Sequence, residues 1–239
     1  MNEKGIKKTI GILGGMGPLA TADLLLKIIR HTRAEKDQDH IRVFIDNNSR
    51  IPDRTEAILR GGENPLPEMS SALKNLLACG ADGIIMPCNT AHYFHGQLQA
   101  LSPKPILHMP EITARACREG FPGKTVAILA TSGTLESGIY HRVLEAADIP
   151  FLVPDEEAQR LLMYLTYDVV KAGVPLEREK DSWRNLLAGL RKKGADYFIL
   201  GCTELPLLAQ GLEVPGPFID PTDELARAAV RFCGYELKD

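Results

Sequence analysis

An internal repeat that carries one cysteine per copy constrains this chain more than any other feature. Residues 80–88 read GADGIIMPC and residues 194–202 read GADYFILGC, so each copy begins with Gly-Ala-Asp, runs through an apolar stretch and ends in cysteine. Cys88 and Cys202 therefore hold equivalent positions, 114 residues apart. Two related half-chains with matched thiols predict a pseudo-two-fold molecule with one thiol on each side of a single cleft.

The repeat extends beyond the cysteines. Residues 9–13 (TIGIL) resemble 125–129 (TVAIL) at an offset of 116, and 105–107 (PIL) resemble 217–219 (PFI) at an offset of 112. Short apolar runs alternate with longer amphipathic segments, a pattern typical of parallel sheets flanked by helices. We therefore predict an α/β fold with two pseudo-two-fold-related lobes, each a parallel sheet flanked by helices. The strands at 9–13 and 125–129 should be central.

The predicted strand ends indicate where a ligand would bind. In open parallel sheets, ligands bind beyond the carboxyl ends of the strands, and Cys88, Cys202, Met16 and Thr131 all follow predicted strands. A thiol between a strand and the start of a helix lies near the positive end of the helix dipole, which favours its thiolate. One thiolate and one thiol on opposite faces of a carbon atom could remove and replace a proton without a cofactor. We therefore expect an active site between the lobes.

Composition narrows the functional class. The chain has 239 residues, a net charge of −3 and no basic run, which argues against nucleic-acid binding. Residues 1–8 lack the apolar segment of a signal peptide, and no stretch approaches the ~18 apolar residues of a membrane span. The five cysteines include no Cys-x-x-Cys pair, which predicts reduced thiols and no zinc site. We expect a cytoplasmic protein that acts on a small molecule, with Cys79, Cys117 and Cys233 as small buried side chains.

Several polar residues near the predicted strand ends have both a ligand-binding and a structural interpretation. Arg54, in a polar loop after a strand, could hold a carboxylate in a bidentate fork or lie solvated on the surface. Lys171 lies near the end of a predicted helix, where a cation stabilises the helix in any case. Asn89 and Thr203 could cap helices or contact a ligand. His92 could tune the thiolate of the neighbouring cysteine or serve only as a structural residue.

A glycine-rich turn offers a competing hypothesis. Residues 15–20 (GMGPLA) satisfy Gly-x-Gly-x-x-Ala after a predicted strand, and Asp46 lies near the end of the next strand, as in dinucleotide-binding folds. However, Pro18 removes a backbone N–H that a pyrophosphate would use, and this motif leaves the paired cysteines unexplained. A nicotinamide-dependent oxidoreductase therefore ranks below thiol chemistry. A non-catalytic module that closes on a small acid is a further alternative.

The sequence resembles the aspartate/glutamate racemase family, and most closely its aspartate branch, over nearly the whole chain. The motifs that carry the resemblance lie at 12–18 (ILGGMGP), 51–54 (IPDR), 87–92 (PCNTAH), 129–134 (LATSGT) and 200–204 (LGCTE). Each motif alone is weak, but together they are highly specific. The resemblance implies an active site between two lobes, residues 1–105 plus 216–239 forming the N-terminal lobe and residues 106–215 the C-terminal lobe.

The resemblance also implies site residues. It assigns catalysis to Cys88 and Cys202, and it makes Arg54 and Lys171 the cationic pair of the aspartate branch. The remaining implied substrate contacts are Met16, Asn89, Thr90, Thr134, Thr203 and Glu204. Family members act without pyridoxal phosphate, metal or nucleotide and usually as dimers, so we expect no cofactor and a homodimer.

The resulting hypothesis is a cofactor-independent racemase that interconverts L- and D-aspartate. The presence of both cysteines supports full racemisation. Glutamate ranks second as substrate, because the glutamate branch usually has an Asp-Ser motif in place of Gly-Met-Gly-Pro. A broad-specificity amino-acid racemase, a two-cysteine maleate isomerase and a hydantoin racemase remain alternatives.

Overall fold

A computed structural model describes residues 7–238 and shows two parallel sheets flanked by helices, which confirms the predicted α/β fold class. Residues 1–6, part of the segment used to predict localisation, lie outside the described residues. The strands are β1 (Ile10–Gly14), β2 (Val43–Asn47), β3 (Gly83–Ile85), β4 (Val126–Leu129), β5 (Phe151–Leu152), β6 (Tyr197–Leu200) and β7 (Phe218–Ile219). Over residues 7–238, no helix has the length and apolar character needed to cross a membrane.

The helices connect successive strands, as expected of parallel sheets. They are α1 (Pro18–His31), α2 (Arg54–Arg60), α3 (Leu66–Ala78), α4 (His95–Leu101), α5 (Met109–Gly120), α6 (Ser132–Glu136), α7 (Ile139–Glu145), α8 (Glu156–Tyr164), α9 (Lys180–Lys192), α10 (Leu205–Gly211) and α11 (Pro221–Phe232). Shorter 3₁₀ segments span Asp37–Asp39, Thr90–Phe94 and Leu176–Glu179, and a π-helix spans Leu165–Lys171. Pro18 begins α1, because its missing N–H is not needed at the first position of a helix.

The two sheets have matching cores. The first has the strand order β2-β1-β3 and the second β5-β4-β6-β7, so β1 and β4 are each paired on both sides, as predicted. Side chains of the central strands alternate between two buried clusters, one on each face of the sheet. The cysteine strands β3 and β6 lie beside β1 and β4, and both cysteines follow at the carboxyl ends of these strands.

Two helices exchange positions between the halves. Helix α5 follows the first half of the repeat, yet its Ala114 and Cys117 pack against β4 and β6 of the second sheet. Helix α11 follows the second half, yet it covers Ile10 and Ile12 of β1 and contacts α1. An ion pair at 2.6 Å joins Lys27 of α1 to Asp220, the N-cap residue of α11. The division into residues 1–105 with 216–239 and residues 106–215 stays a prediction; strand β7 pairs with the second sheet, whereas α11 packs on the first.

This exchange explains one difference between the repeats. A Cβ atom at Gly83 would lie 2.4 Å from the ring of Phe232 in α11, so only glycine fits there. The equivalent residue in the second copy is Tyr197, whose ring stacks on Phe121 at the end of α5, with centroids 4.2 Å apart. Each cysteine strand is therefore covered by an aromatic ring that the exchanged helix supplies.

Candidate active site

A buried cavity contains both repeated cysteines in its wall. Its lining residues are Met16, Asp53, Arg54, Thr55, Cys88, Asn89, Thr90, Thr131, Tyr167, Lys171, Cys202, Thr203 and Glu204. The fold thus brings every site residue named from the sequence to this wall except Thr134. The Thr134 hydroxyl lies directly behind the wall, 2.8 Å from that of Thr90.

The cavity is nearly closed. Its free volume is about 10 Å³, room for about one water molecule. A wider vestibule of about 510 Å³ adjoins it, and the two spaces share Met16, Asp53, Arg54, Lys171 and Glu204. Because an amino acid is much larger than a water molecule, these shared side chains must move apart for one to enter.

Cys202 lies in an acidic environment. Its thiol donates a hydrogen bond to Oε2 of Glu204 at 2.9 Å, and the Thr203 hydroxyl donates to the same oxygen at 3.2 Å. Burial and the negative charge of Glu204 raise the pKa of Cys202 well above its usual value, while Lys171 offsets only part of this. The expectation that a nearby helix N-terminus favours a thiolate is therefore wrong for Cys202. Burial and the carboxylate outweigh the dipole of α10, so this residue is a thiol and a proton donor.

Cys88 lies beside a cation. The guanidinium group of Arg54 is buried and donates hydrogen bonds to the carbonyl oxygens of Pro52 at 2.9 Å and Met16 at 3.2 Å, while its Nε atom has no partner within residues 7–238. Burial opposes the charge of Arg54, but the charges of Cys88 and Asp53 outweigh it and raise the pKa of the guanidinium. Arg54 is therefore a fixed positive charge next to the first thiol.

His92 supports the Cys88 loop as a neutral residue. The backbone N–H of Met109 donates to His92 Nε2 at 3.1 Å, so the ring proton is assigned to Nδ1, which lies 2.9 Å from the carbonyl oxygen of Cys88. Burial and the neighbouring His108 lower the pKa of His92 to about 3. The structural interpretation of His92 holds, because a neutral ring with both nitrogens bonded to backbone groups cannot act as a base.

Asn89 presents a free amide donor to the cavity. Its Oδ1 atom accepts a hydrogen bond from the Tyr140 hydroxyl at 2.5 Å, while its buried Nδ2 atom has no partner in the described part of the chain. Burial raises the pKa of Tyr140, so its hydroxyl stays protonated and donates. Asn89 makes no capping bond to the 3₁₀ segment Thr90–Phe94. Tyr140 therefore fixes which way the amide faces and leaves its N–H groups for a ligand.

Three threonine hydroxyls join the two halves behind the thiols. Thr90 follows Cys88, whereas Thr131 and Thr134 follow β4 in the second half, and the three oxygens lie 2.8 to 3.1 Å from one another. All three residues are buried. Their hydroxyl protons can rotate, so the cluster can donate to a carboxylate oxygen without rearranging the backbone.

Lys171 provides the second cation of the site. The residue is partly exposed, but its ammonium group lies 4.0 Å over the ring of Tyr167, and Lys171 lines the cavity. Burial works against the charge, yet the negative charge of Glu204 and the neighbouring Cys202 outweigh it and raise the pKa of Lys171. The Tyr167 hydroxyl in turn bonds Asp53 at 3.3 Å. Arg54 and Lys171 both border the vestibule, as a pair of carboxylate anchors would.

Sequence reasoning missed several of these residues. Asp53 and Thr55 flank Arg54, so their proximity to it along the chain was an available signal. Tyr140 and Tyr167 come from helical segments of the second half and reach the site only through packing, and no local pattern marks them.

The glycine-rich turn has a packing role. The N–H of Gly15 donates to the Thr21 hydroxyl at 3.0 Å, and a Cβ atom at Gly15 would lie 2.3 Å from the Asn48 backbone. These contacts explain Gly15 without a phosphate, which weakens the dinucleotide hypothesis. Among residues 7–238, no group of three or more histidine, cysteine, aspartate or glutamate side chains is arranged to hold a metal ion.

Comparison with known proteins agrees with this geometry. The chain is 28% identical to the broad specificity amino-acid racemase RacX of Bacillus subtilis, over 92% of this chain and 96% of the relative. It is 28% identical to a glutamate racemase of Lactobacillus acidophilus, over 92% and 79% of the two chains. The structure of Picrophilus torridus aspartate racemase superposes with a TM-score of 0.82 at 32% identity, over 97% and 96% of the two chains. Residues 13–229 match the family model described as Asp/Glu/Hydantoin racemase, and the chain belongs to that family.

Proposed function

We propose that this protein is a cofactor-independent racemase that interconverts L- and D-aspartate. The observation that carries the proposal is that the two repeated thiols, Cys88 and Cys202, lie in the wall of one buried cavity. Two thiols around one substrate carbon can exchange its α-proton by acid–base chemistry alone. The name of the Picrophilus relative, an aspartate racemase, supports the same reading.

The charges around the two thiols indicate which one acts as the base and which as the acid. With Arg54 beside it, Cys88 acts first as the thiolate base and takes the α-proton from one face of the substrate. Cys202, which holds its proton against Glu204, then donates that proton to the opposite face. The step leaves Cys88 as a thiol and Cys202 as a thiolate. The opposite enantiomer then reacts by the reverse route, with Cys202 as the base and Cys88 as the acid.

The carbanion formed between these steps needs electrostatic stabilisation. The unpartnered Nδ2 donor of Asn89 and the hydroxyl of Thr90 are positioned to bond the α-carboxylate as it gains negative charge. Arg54 and Lys171 hold the second carboxylate at the vestibule side. Binding both carboxylates orients the α-carbon between the thiols, which lowers the entropic part of the barrier.

Aspartate ranks before glutamate because residues 15–18 read Gly-Met-Gly-Pro in place of the Asp-Ser motif usual in the glutamate branch. The likeness to the Picrophilus aspartate racemase over 97% of this chain supports the same order. A broad-specificity amino-acid racemase is the second candidate, supported by the likeness to RacX over 92% of this chain. The homodimer inferred from the family resemblance belongs to the same proposal, and sedimentation analysis of the purified protein tests it.

The decisive experiment follows the α-proton. The reduced protein is incubated with L-aspartate in deuterated buffer without added cofactor, with glutamate and alanine in parallel. We expect loss of the α-proton NMR signal together with D-aspartate in a chiral assay, and slower turnover of the other two amino acids. A Cys79→Ser variant is the matched control, since Cys79 is exposed. Failure of aspartate to exchange while glutamate or alanine does would contradict the substrate assignment.

A further inference from the structure

A second cavity lies outside the candidate active site, between α5 and α7. Its volume of about 530 Å³ falls within the ~300–1,000 Å³ range of small-molecule sites. We call it the α5–α7 groove. Its apolar wall is formed by Ala114, Ile139, Val143, Ala146 and Ala147, and its polar wall by His92, His108, Glu111, Arg115, Arg118 and Arg142.

The groove concentrates positive charge on a protein whose net charge is −3. Within residues 7–238, the guanidinium groups of Arg115, Arg118 and Arg142 have no carboxylate partner within 4.0 Å, whereas the exposed arginines Arg60, Arg160 and Arg184 on other helices each form an ion pair. The one acidic residue of the wall, Glu111, faces His108 at 3.4 Å. Three unpaired guanidinium groups around one cavity match a ligand with several anionic oxygens, because each group can bind such oxygens in a bidentate fork.

We propose that the α5–α7 groove binds a small organic phosphate. The arginines hold its phosphate groups, and the apolar wall contacts its uncharged part. A ligand with two or more phosphate groups fits best. Three guanidinium groups supply more N–H donors than the oxygens of a single small anionic group can accept. Nothing in this binding step depends on the reaction at the cysteines.

The groove connects directly to the Cys88 loop. Tyr140 on α7 donates to Asn89, and His92, which lines the groove, bonds the Cys88 carbonyl group at 2.9 Å. His92 also accepts from the N–H of Met109, the first residue of α5. A ligand that draws α5 and α7 together therefore acts on the residues beside the first thiol. This regulatory part of the inference rests on the proposed racemase function.

Calorimetric titration tests the binding. Inorganic pyrophosphate and adenosine diphosphate serve as probes, and the variant is the double substitution Arg115→Ala with Arg118→Ala. Both arginines are exposed on α5, and alanine preserves a helix. Arg142 is spared because it donates to the Ser137 carbonyl group at 2.9 Å and so supports the turn before α7. We expect at least about tenfold weaker binding in the double variant, as for the loss of one or more charge-assisted bonds.

An exposed arginine outside the groove provides the control. Arg231→Ala on α11 should bind both probes as the unmodified protein does. Tighter binding of adenosine diphosphate than of pyrophosphate supports an organic phosphate whose uncharged part contacts the apolar wall. Equal affinity for the two probes would overturn that contact and leave a site for phosphate groups alone. Absence of binding to the unmodified protein, or binding that survives the double substitution, would overturn the proposal.

The coupling has two readouts that separate its failure from that of the proposed function. At saturating pyrophosphate, we expect the rate of α-proton exchange to change at least about fivefold in the unmodified protein and not in the double variant, the lower end of the usual range of coupling. Amide hydrogen exchange of residues 88–92 should slow on binding, whether or not aspartate is the substrate. Binding that changes neither quantity would disprove the coupling. An inactive protein that still binds pyrophosphate through Arg115 and Arg118 would refute only the racemase proposal.

Discussion

The two thiols hold equivalent places in the repeat but lie in opposite electrostatic surroundings. Cys88 has the guanidinium group of Arg54 as its neighbour, whereas the thiol of Cys202 donates a hydrogen bond to the carboxylate of Glu204. The position two residues after the cysteine is Thr90 in the first copy and Glu204 in the second. The duplicated strands therefore supply matching geometry, and single substitutions after them supply different charges. One active site can then contain a base and an acid made from the same side chain.

The supports of the two cysteine loops differ as well. His92 bonds the Cys88 carbonyl group from four residues further along the chain. The equivalent residue of the second copy is Pro206, within the first turn of α10. The first loop therefore depends on a neutral imidazole, whereas the second leads directly into a helix.

The largest expected effect comes from removing each thiol in turn, which tests whether the two thiols act on opposite faces of the substrate. Cys88→Ser and Cys202→Ser should each lower racemisation by about 10³-fold or more. With one thiol missing, only one face of the substrate can lose or gain a proton. Each variant should still exchange the α-proton of one enantiomer, and the two variants should favour opposite enantiomers. Proton NMR of L- and D-aspartate in deuterated buffer measures this. Exchange of the same enantiomer by both variants would show that the thiols do not serve opposite faces.

A second prediction removes the charge that distinguishes Cys202. Glu204→Gln should lower the pKa of Cys202, since burial remains but the carboxylate that raises it is gone. Racemisation should fall about 100-fold, the lower end of the range for a positioned proton-transfer group. The pH dependence of Cys202 alkylation by iodoacetamide, resolved by mass spectrometry, reports the pKa. Glu63→Gln, in an exposed loop, is the control; an unchanged Cys202 profile in Glu204→Gln would contradict the role of the carboxylate.

A third prediction concerns the donor beside Cys88. Tyr140→Phe removes the hydroxyl that orients Asn89 and should lower kcat/KM about tenfold, the usual scale for one buried hydrogen bond. Tyr197→Phe is the matched control, because Tyr197 is equally buried but its hydroxyl lies beside Cys117. If Tyr140 acts through Asn89, adding Tyr140→Phe to Asn89→Ala should cost nothing further. Additive losses in this double-mutant cycle would assign Tyr140 a merely structural role.

The last prediction concerns stability rather than catalysis. Because burial holds the pKa of His92 at about 3, below its unfolded value of about 6.5, protons bind the unfolded chain more readily in this range. The free energy of unfolding should therefore fall as the pH drops from about 6.5 towards 3, by up to about 1.4 kcal/mol per pH unit for this residue. His108, with a pKa of about 4, contributes in the same direction. Urea unfolding of the protein and of His92→Gln measures the difference, and identical slopes would contradict the assigned neutral state.

The sequence predicted the parts of the fold that depend on local pattern. The repeat and the alternation of apolar runs placed β1 and β4 at the centres of their sheets. Local pattern did not predict the exchange of α5 and α11, because an amphipathic helix shows that one face is buried but not which sheet covers it. Only the lobe division implied by the family resemblance assigned 216–239 to the first half and 106–215 to the second. Cys117 and Cys233 are buried as expected, whereas Cys79 is exposed at the end of α3.

The same limit applies to the site. The repeat and the family motifs named residues that the fold gathers around one cavity, since strand ends in parallel sheets converge. Which of the two thiols keeps its proton was not predicted, because it depends on burial and on the approach of Glu204 to Cys202. Tyr140 and Tyr167 were not predicted, because they reach Asn89 and the ammonium group of Lys171 through tertiary packing that no local sequence pattern marks.

The exchange of α5 and α11 bears on how such a chain could have arisen. A single repeat unit would leave one face of its sheet partly uncovered, because the helix that follows its last strand packs on the other half. Two copies of an ancestral half-length polypeptide could cover each other by trading these helices, which is the arrangement of a domain-swapped dimer. Fusion of two such genes would keep the exchanged helices within one molecule. The two copies could then diverge in sequence, which would allow threonine at the position two residues after one cysteine and glutamate at the same position after the other.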